Sequence, residues 1–314
     1  MAPRTKKRRA PKKRSVAASK HRAPAPRRRQ PWLVWGAVAA VAVGGIVAAV
    51  IVKRGGNKTA TAASAHGLPD TPDYHSLSVS PTTPNVILLG THYGLYRSRD
   101  GGKTWAFAAL SGRDAMNLAR PGGQTLWTAG HYVLAKSTDG GRNWVDVRPS
   151  GLPTLDVHGF AVDPGKPSTL YAAVAGRGLY RSTDNGVSFD PVSNEVGGAV
   201  MALAVTPSGD VLAGDMQDGL LLSRDGGKTW RRLLKAQLMG LALNPRNPRR
   251  VLAAGPGILL STDGGRRWRQ PLKIAQGAGP VAWSPSNPKI AYVVGFDRTL
   301  YRSTDSGETW SSVG

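Results

Sequence analysis

From His75 onward the apolar positions come in short runs closed by glycine, proline or a charge. Val86-Ile87-Leu88-Leu89, Gly94-Leu95-Tyr96-Arg97 and Leu170-Tyr171-Ala172-Ala173-Val174 are typical, and none shows the 3.6-residue period of a surface helix. Between the runs one eight-residue turn is written six times: Ser98 to Trp105, Ser137 to Trp144, Ser182 to Phe189, Ser223 to Trp230, Ser261 to Trp268 and Ser303 to Trp310. The aspartates of these turns lie 39, 45, 41, 38 and 42 residues apart. A period near 40 marks an array of supersecondary units. In each copy a first strand ends at a proline (Pro81, Pro121, Pro164, Pro207, Pro245, Pro285). A second strand, a glycine-bearing loop, a third strand, the turn and a fourth strand follow. Four short strands per copy predict a propeller blade, and six copies predict an all-β, six-bladed β-propeller over residues 75–314. Because every copy opens on a first strand, no strand is expected to be shared between blades 1 and 6. Closure is then expected from packing between them.

The turn has its own chemistry. Its central glycines supply the positive φ of a tight turn. The carboxylates of Asp100, Asp139, Asp184, Asp225, Asp263 and Asp305 are expected to accept backbone N–H groups one and two residues on. The closing aromatic folds an apolar surface beneath the turn. Five of the nine tryptophans occupy that position, with Phe189 as the sixth copy, so tryptophan use here is architectural.

These residues carry a family resemblance. The pattern S-x-D-x-G-x-T-W resembles the Asp-box, or BNR, repeat of sialidases, sortilin-type receptor domains and photosystem II assembly factor-like proteins. It extends from His75 to Gly314. The resemblance implies the propeller fold; it does not choose a function, because enzymes, receptors and assembly factors share the repeat. The arrangement is most similar to bacterial membrane-anchored proteins commonly labelled glycosyl hydrolase or BNR-repeat protein.

A different pattern precedes the repeats. Pro31 to Val52 is 22 residues without a charge. As a helix it spans roughly 33 Å, enough for a bilayer core, with Trp32 and Trp35 at its first interface. The formal charge of +23 is concentrated around it. Thirteen of the 42 basic residues fall in residues 1–30 and three more at Lys53, Arg54 and Lys58, with no acid before Asp70. That asymmetry predicts an N-terminus in the cytoplasm and a C-terminal body outside. The expected order is a basic disordered tail (1–30), a single transmembrane helix (31–52) acting as an uncleaved signal anchor, a flexible linker (53–74) and the propeller. The tail reads either as a topogenic signal or as an arm for nucleic acid or anionic lipid; no specific nucleic-acid partner is expected. With no cysteine in the chain, disulfides and thiolate metal sites are excluded.

Candidate chemistry is sought on the face opposite the Asp-boxes, where the loops between second and third strands open with those joining successive blades. All four propeller histidines fall there. Aligning the first strands puts His75, Met116, His158, Met201 and Met239 at one position, with Gly279 in the sixth copy. His92 and His131 occupy equivalent loops, six residues before the Asp-box serine, and Met216 lies in the fourth such loop. Imidazole with thioether suits copper, and imidazole alone also suits zinc. The candidate metal ligands are therefore His75, His92, His131, His158 and Met116, while Met201, Met239, Asp215 and Asp297 are candidates for ligand binding. The same residues have a plainer reading, as methionines filling an axial channel and histidines in polar loops. The expected function is a membrane-anchored binding or assembly module with an extracytoplasmic protein or glycan partner. The alternative is a glycoside hydrolase, which needs two carboxylates about 5–10 Å apart. Asp114, Asp156, Asp215, Asp218 and Asp297 are on the right face, and Glu195 lies between blades 3 and 4. The resemblance to sialidases would also require an Arg-Ile-Pro motif, which the chain lacks.

Overall fold

The structure is a computed structural model and describes residues 65–314 apart from Gly197. The tail, the apolar span and most of the linker lie outside the described residues. Among the described residues no helix is long and apolar enough to cross a membrane.

Six antiparallel sheets stand around one axis, each built from consecutive strands in chain order. The inner strands are Ser76–Val79, Asn117–Gly122, Val157–Val162, Val200–Val205, Gly240–Leu243 and Ala278–Trp283. Each touches the next, and the sixth touches the first. They enclose an axial cavity of about 260 Å³ whose wall includes Leu77, Phe160, Leu203 and Val281. Four of the six second strands, Ile87–Thr91 and Leu170–Val174 among them, are buried along their whole length. A blade covered on both faces by neighbours needs apolar residues on both, which is why these strands read as continuous runs.

Each Asp-box is one hydrogen-bonded unit, and its wiring differs from the expectation. The Asp100 carboxylate accepts the N–H groups of Lys103 and Thr104, three and four residues on, both at 3.0 Å. The Ser98 hydroxyl accepts the Gly102 N–H at 2.8 Å and donates to Asp100. Serine thus serves the near part of the turn and aspartate the far part. Trp105 Nε1–H closes the unit on the Gly102 carbonyl at 2.9 Å. All six copies repeat the serine–aspartate pair. Gly101 and Gly102 have φ of 79° and 98°, and Asn185 and Ser306 hold the first of these positions at 65° and 67° in blades 3 and 6.

Among the described residues no strand is shared between blades 1 and 6. They close through one core in which Tyr74, Leu77, Ile87, Leu89 and Trp105 meet Ala282, Ile290, Tyr292, Val294 and Leu300. The Tyr292 hydroxyl reaches the Pro84 carbonyl at 3.1 Å across the seam. Chain upstream of His75 takes part in this packing. Tyr74, expected in the linker, is buried, and its hydroxyl donates to the Pro69 carbonyl at 2.7 Å. Ala65–His66 adds a short fifth strand to the outer edge of blade 1.

Candidate functional site

Strand register sets the site. Ser76, Asn117, Gly159, Ala202 and Gly240 pair with equivalent residues of the second strands. The residues just before them, His75, Met116, His158, Met201 and Met239, are therefore equivalent, as the sequence alignment expected. Two residues earlier the first three blades carry Asp73, Asp114 and Asp156, where the other three carry Ala199, Gln237 and Gly277. Across the hairpin, His92 and His131 follow the second strands Ile87–Thr91 and Thr125–Gly130.

This brings the four imidazoles into a row over blades 1 to 3. Ring centroids are 4.1 Å apart for His75 and His92, 5.4 Å for His92 and His131, and 5.2 Å for His131 and His158. The three aspartates alternate with them. Asp73 accepts the His92 N–H at 3.2 Å, bonds the His92 ring through its other oxygen and lies 3.3 Å from His75 Nε2. Asp114 accepts the His131 N–H at 2.8 Å and His131 Nδ1–H at 2.6 Å. Asp156 Oδ1 lies 3.2 Å from His158 Nε2 and 3.7 Å from His131 Nε2. Three overlapping groups have the spacing of a cation site: Asp73–His75–His92, His92–Asp114–His131 and His131–Asp156–His158.

The electrostatics separate the two ends. Burial would raise the Asp73 carboxyl, but the bonds from His75 and His92 outweigh it and hold Asp73 well below the usual carboxylate range. Burial pushes the His158 imidazole below its ordinary value, against the pull of the Asp156 charge. Asp114 Oδ1, Asp156 Oδ1 and His158 Nε2 are buried without a hydrogen-bond partner. Gly130 makes room for this arrangement, since a Cβ there would stand 2.7 Å from Asp114 Oδ2.

The family with the description photosynthesis system II assembly factor YCF48 matches residues 73–313. The chain belongs to that family. Its propeller is similar to YCF48 from Cyanidioschyzon merolae at 18% identity and a TM-score of 0.51, over 80% of this chain and 88% of that one. It is also similar to the GH74 xyloglucanase from Xanthomonas campestris (19%, TM-score 0.56, 77% of this chain and 45% of that one). The GH74 enzyme from Niastella koreensis gives 17% and 0.52, over 76% and 46%. The YCF48-family chain thus spans about half the length of these enzymes, and at such identities the likeness is one of fold. No curated protein sequence matches it.

Other residues singled out in the sequence are held by local structure. Asp215 Oδ1 accepts the N–H groups of Gln217 and Asp218 at 2.7 and 2.8 Å. Asp297 accepts the Thr299 N–H and the Tyr301 hydroxyl. Both carboxylates pin their own turns. Met116 is buried, while Met201 and Met239 are half-buried in blades 4 and 5, beyond the histidine row. Sequence reasoning missed Asp73 by assigning it to the linker. The signal that could have found it was an acid two residues before the aligned position in three successive blades.

Proposed function

We propose that this YCF48-family protein is a single-pass membrane protein whose propeller stands on the extracytoplasmic side and binds a segment of a protein partner over the His/Asp face. Exposed aromatic residues carry the reading. Tyr93, Tyr132 and Phe296 are 56%, 78% and 43% exposed, and each sits in the turn between second and third strands of its blade. Blades 6, 1 and 2 are consecutive around the ring, so the three mark one continuous sector of the face that bears the histidines. Aromatic side chains offer large, stiff contact area and are enriched in protein-binding surfaces. The family's description as an assembly factor supports a protein partner. The charge asymmetry about residues 31–52 supports the topology. Catalysis is not needed for this role. A glycoside hydrolase is the alternative, and it would be supported by aryl-glycoside turnover that Asp114→Asn or Asp156→Asn abolishes in folded protein.

Site-specific photo-crosslinking in cells tests the proposal. A photoreactive residue at Tyr132 or Phe296 should capture a discrete membrane-associated or secreted protein, and one at Arg266, on the Asp-box rim, should not. Equal capture at all three positions, or capture from Arg266 alone, would place the working surface elsewhere.

A further inference from the structure

The three His/Asp groups differ in what they lack. In the first, Asp73 has both oxygens engaged by His92, one with its N–H and one with its ring. That cluster is complete without an ion. In the second, Asp114 Oδ2 is taken by His131, from its N–H and from Nδ1. A carboxylate on Nδ1 fixes the tautomer and leaves the Nε2 lone pair free, the orientation that metal-ligating histidines adopt.

The third group is open where an ion would sit. Asp156 Oδ1 and His158 Nε2 stand 3.2 Å apart as an ion-pair contact, yet neither atom has a well-aligned hydrogen-bond partner. His131 Nε2, freed by Asp114, faces the same carboxylate oxygen at 3.7 Å. Ligand bonds of about 2.0–2.2 Å in a tetrahedron put neighbouring ligand atoms roughly 3.3–3.6 Å apart. The two measured edges bracket that range. Asp114 itself is 6% exposed, and its Oδ1 has no partner. A polar oxygen buried this way without a partner is costly.

We propose that His131 Nε2, His158 Nε2 and Asp156 Oδ1 bind one divalent transition-metal ion of the zinc type, with Asp114 positioning His131 as its outer partner. Three protein ligands leave a fourth position. The His131, Asp156 and His158 side chains are all partly exposed, although Asp156 Oδ1 and His158 Nε2 are themselves buried, and Tyr132, next to His131 in the chain, is 78% exposed. Two neutral imidazoles and one carboxylate leave the occupied site with a single net positive charge. The fourth ligand is then water or an anionic group, such as a carboxylate of a bound protein segment. The proposed ligand set is narrower than the one drawn from the sequence, which also included His75, His92 and Met116.

The test is zinc titration of the purified, chelator-treated full chain by calorimetry, with melting temperature as a second readout. One zinc per chain should bind and raise the melting temperature, since a ligand of the folded state stabilises it. Calcium and magnesium should not. His158→Gln and Asp156→Asn should abolish binding, Asp114→Asn should weaken it about 10–100-fold, and His75→Gln should leave it intact. Melting temperatures in chelator report whether each variant is folded. Should His158→Gln fail to fold, the more exposed His131→Gln takes its place. Absence of zinc binding by the parent chain would overturn the proposal and leave water as the partner of the orphan atoms. Undiminished binding by folded His131→Gln and Asp156→Asn would overturn it too. Equal loss in His75→Gln would replace it with a site shared along the row. None of these results depends on a protein partner, so the crosslinking experiment stands or falls separately.

Discussion

At the scale of single residues, hydroxyl groups carry more of the turns than the conspicuous aspartates suggest. Ser223 is buried, accepts the Gly227 N–H at 2.8 Å and donates to Asp225 at 2.7 Å. Ser223→Ala leaves that buried N–H without an acceptor, which should destabilise the fold by about 1–3 kcal/mol. Urea unfolding followed by tryptophan fluorescence checks this, and an unchanged midpoint would contradict the division of labour between serine and aspartate. The same scale explains Asp114 and Asp156. Each was legible in the sequence as a loop acid on the correct face. Their meeting at His131 was not, because Asp114 reaches it only once the first two strands of blade 2 pair, and Asp156 reaches it across the boundary between blades 2 and 3.

At the scale of the repeating element, the Asp-boxes act as six similar acid-sensitive clasps. Slight burial would raise the Asp100 carboxyl, but hydrogen bonds from Thr104, Ser98 and Lys103 pull it down to about 2, against an ordinary value of 3.8. Hydrogen bonds from the following backbone and side chains likewise lower Asp139, Asp184 and Asp225. Asp263 and Asp305 move in the same direction. A depressed folded pKa means that the unfolded chain binds the proton more readily. The contribution is fully present above the unfolded value near 3.8 and is lost as pH falls through the folded values. Melting temperature should therefore fall steeply below about pH 4 by this linkage. Asp225→Asn, which keeps an acceptor oxygen but cannot titrate, should make that limb shallower. An identical acid limb in the variant would remove the clasps from the account. These carboxylates lie at the surface, so salt and water moderate each contribution.

At the scale of the whole molecule, closure and topology are separate questions. Closure rests on the core shared by blades 1 and 6, which draws in Tyr74 and the chain before it. Topology rests on residues 1–58, where thirteen basic residues precede the apolar run and three follow. Protease added to intact cells or spheroplasts should remove an epitope placed at Gly314 and spare one placed before Pro31. The reverse pattern would invert the proposed orientation and move the binding face to the cytoplasm.

The chain by itself determined the blade count, the strand order and the turn positions, because each depends on residues close in sequence. Six Ser–Asp–Gly–aromatic turns at a period near 40 leave little freedom in how the strands between them pair. Alignment of the repeats also determined that His75 and His158 are equivalent and that His92 and His131 occupy equivalent loops. Only the tertiary structure decided how the four rings meet, since it placed blades 1, 2 and 3 side by side and set the rotation from one to the next. That rotation turned an expected common cluster into a row, because side chains at equivalent positions of adjacent blades are neighbours and those two blades apart are not. It also decided which polar atoms go unsatisfied. Partner choice among buried carboxylates and imidazoles depends on shifts of about an ångström, and the spacing of residues along a chain does not encode distances that fine.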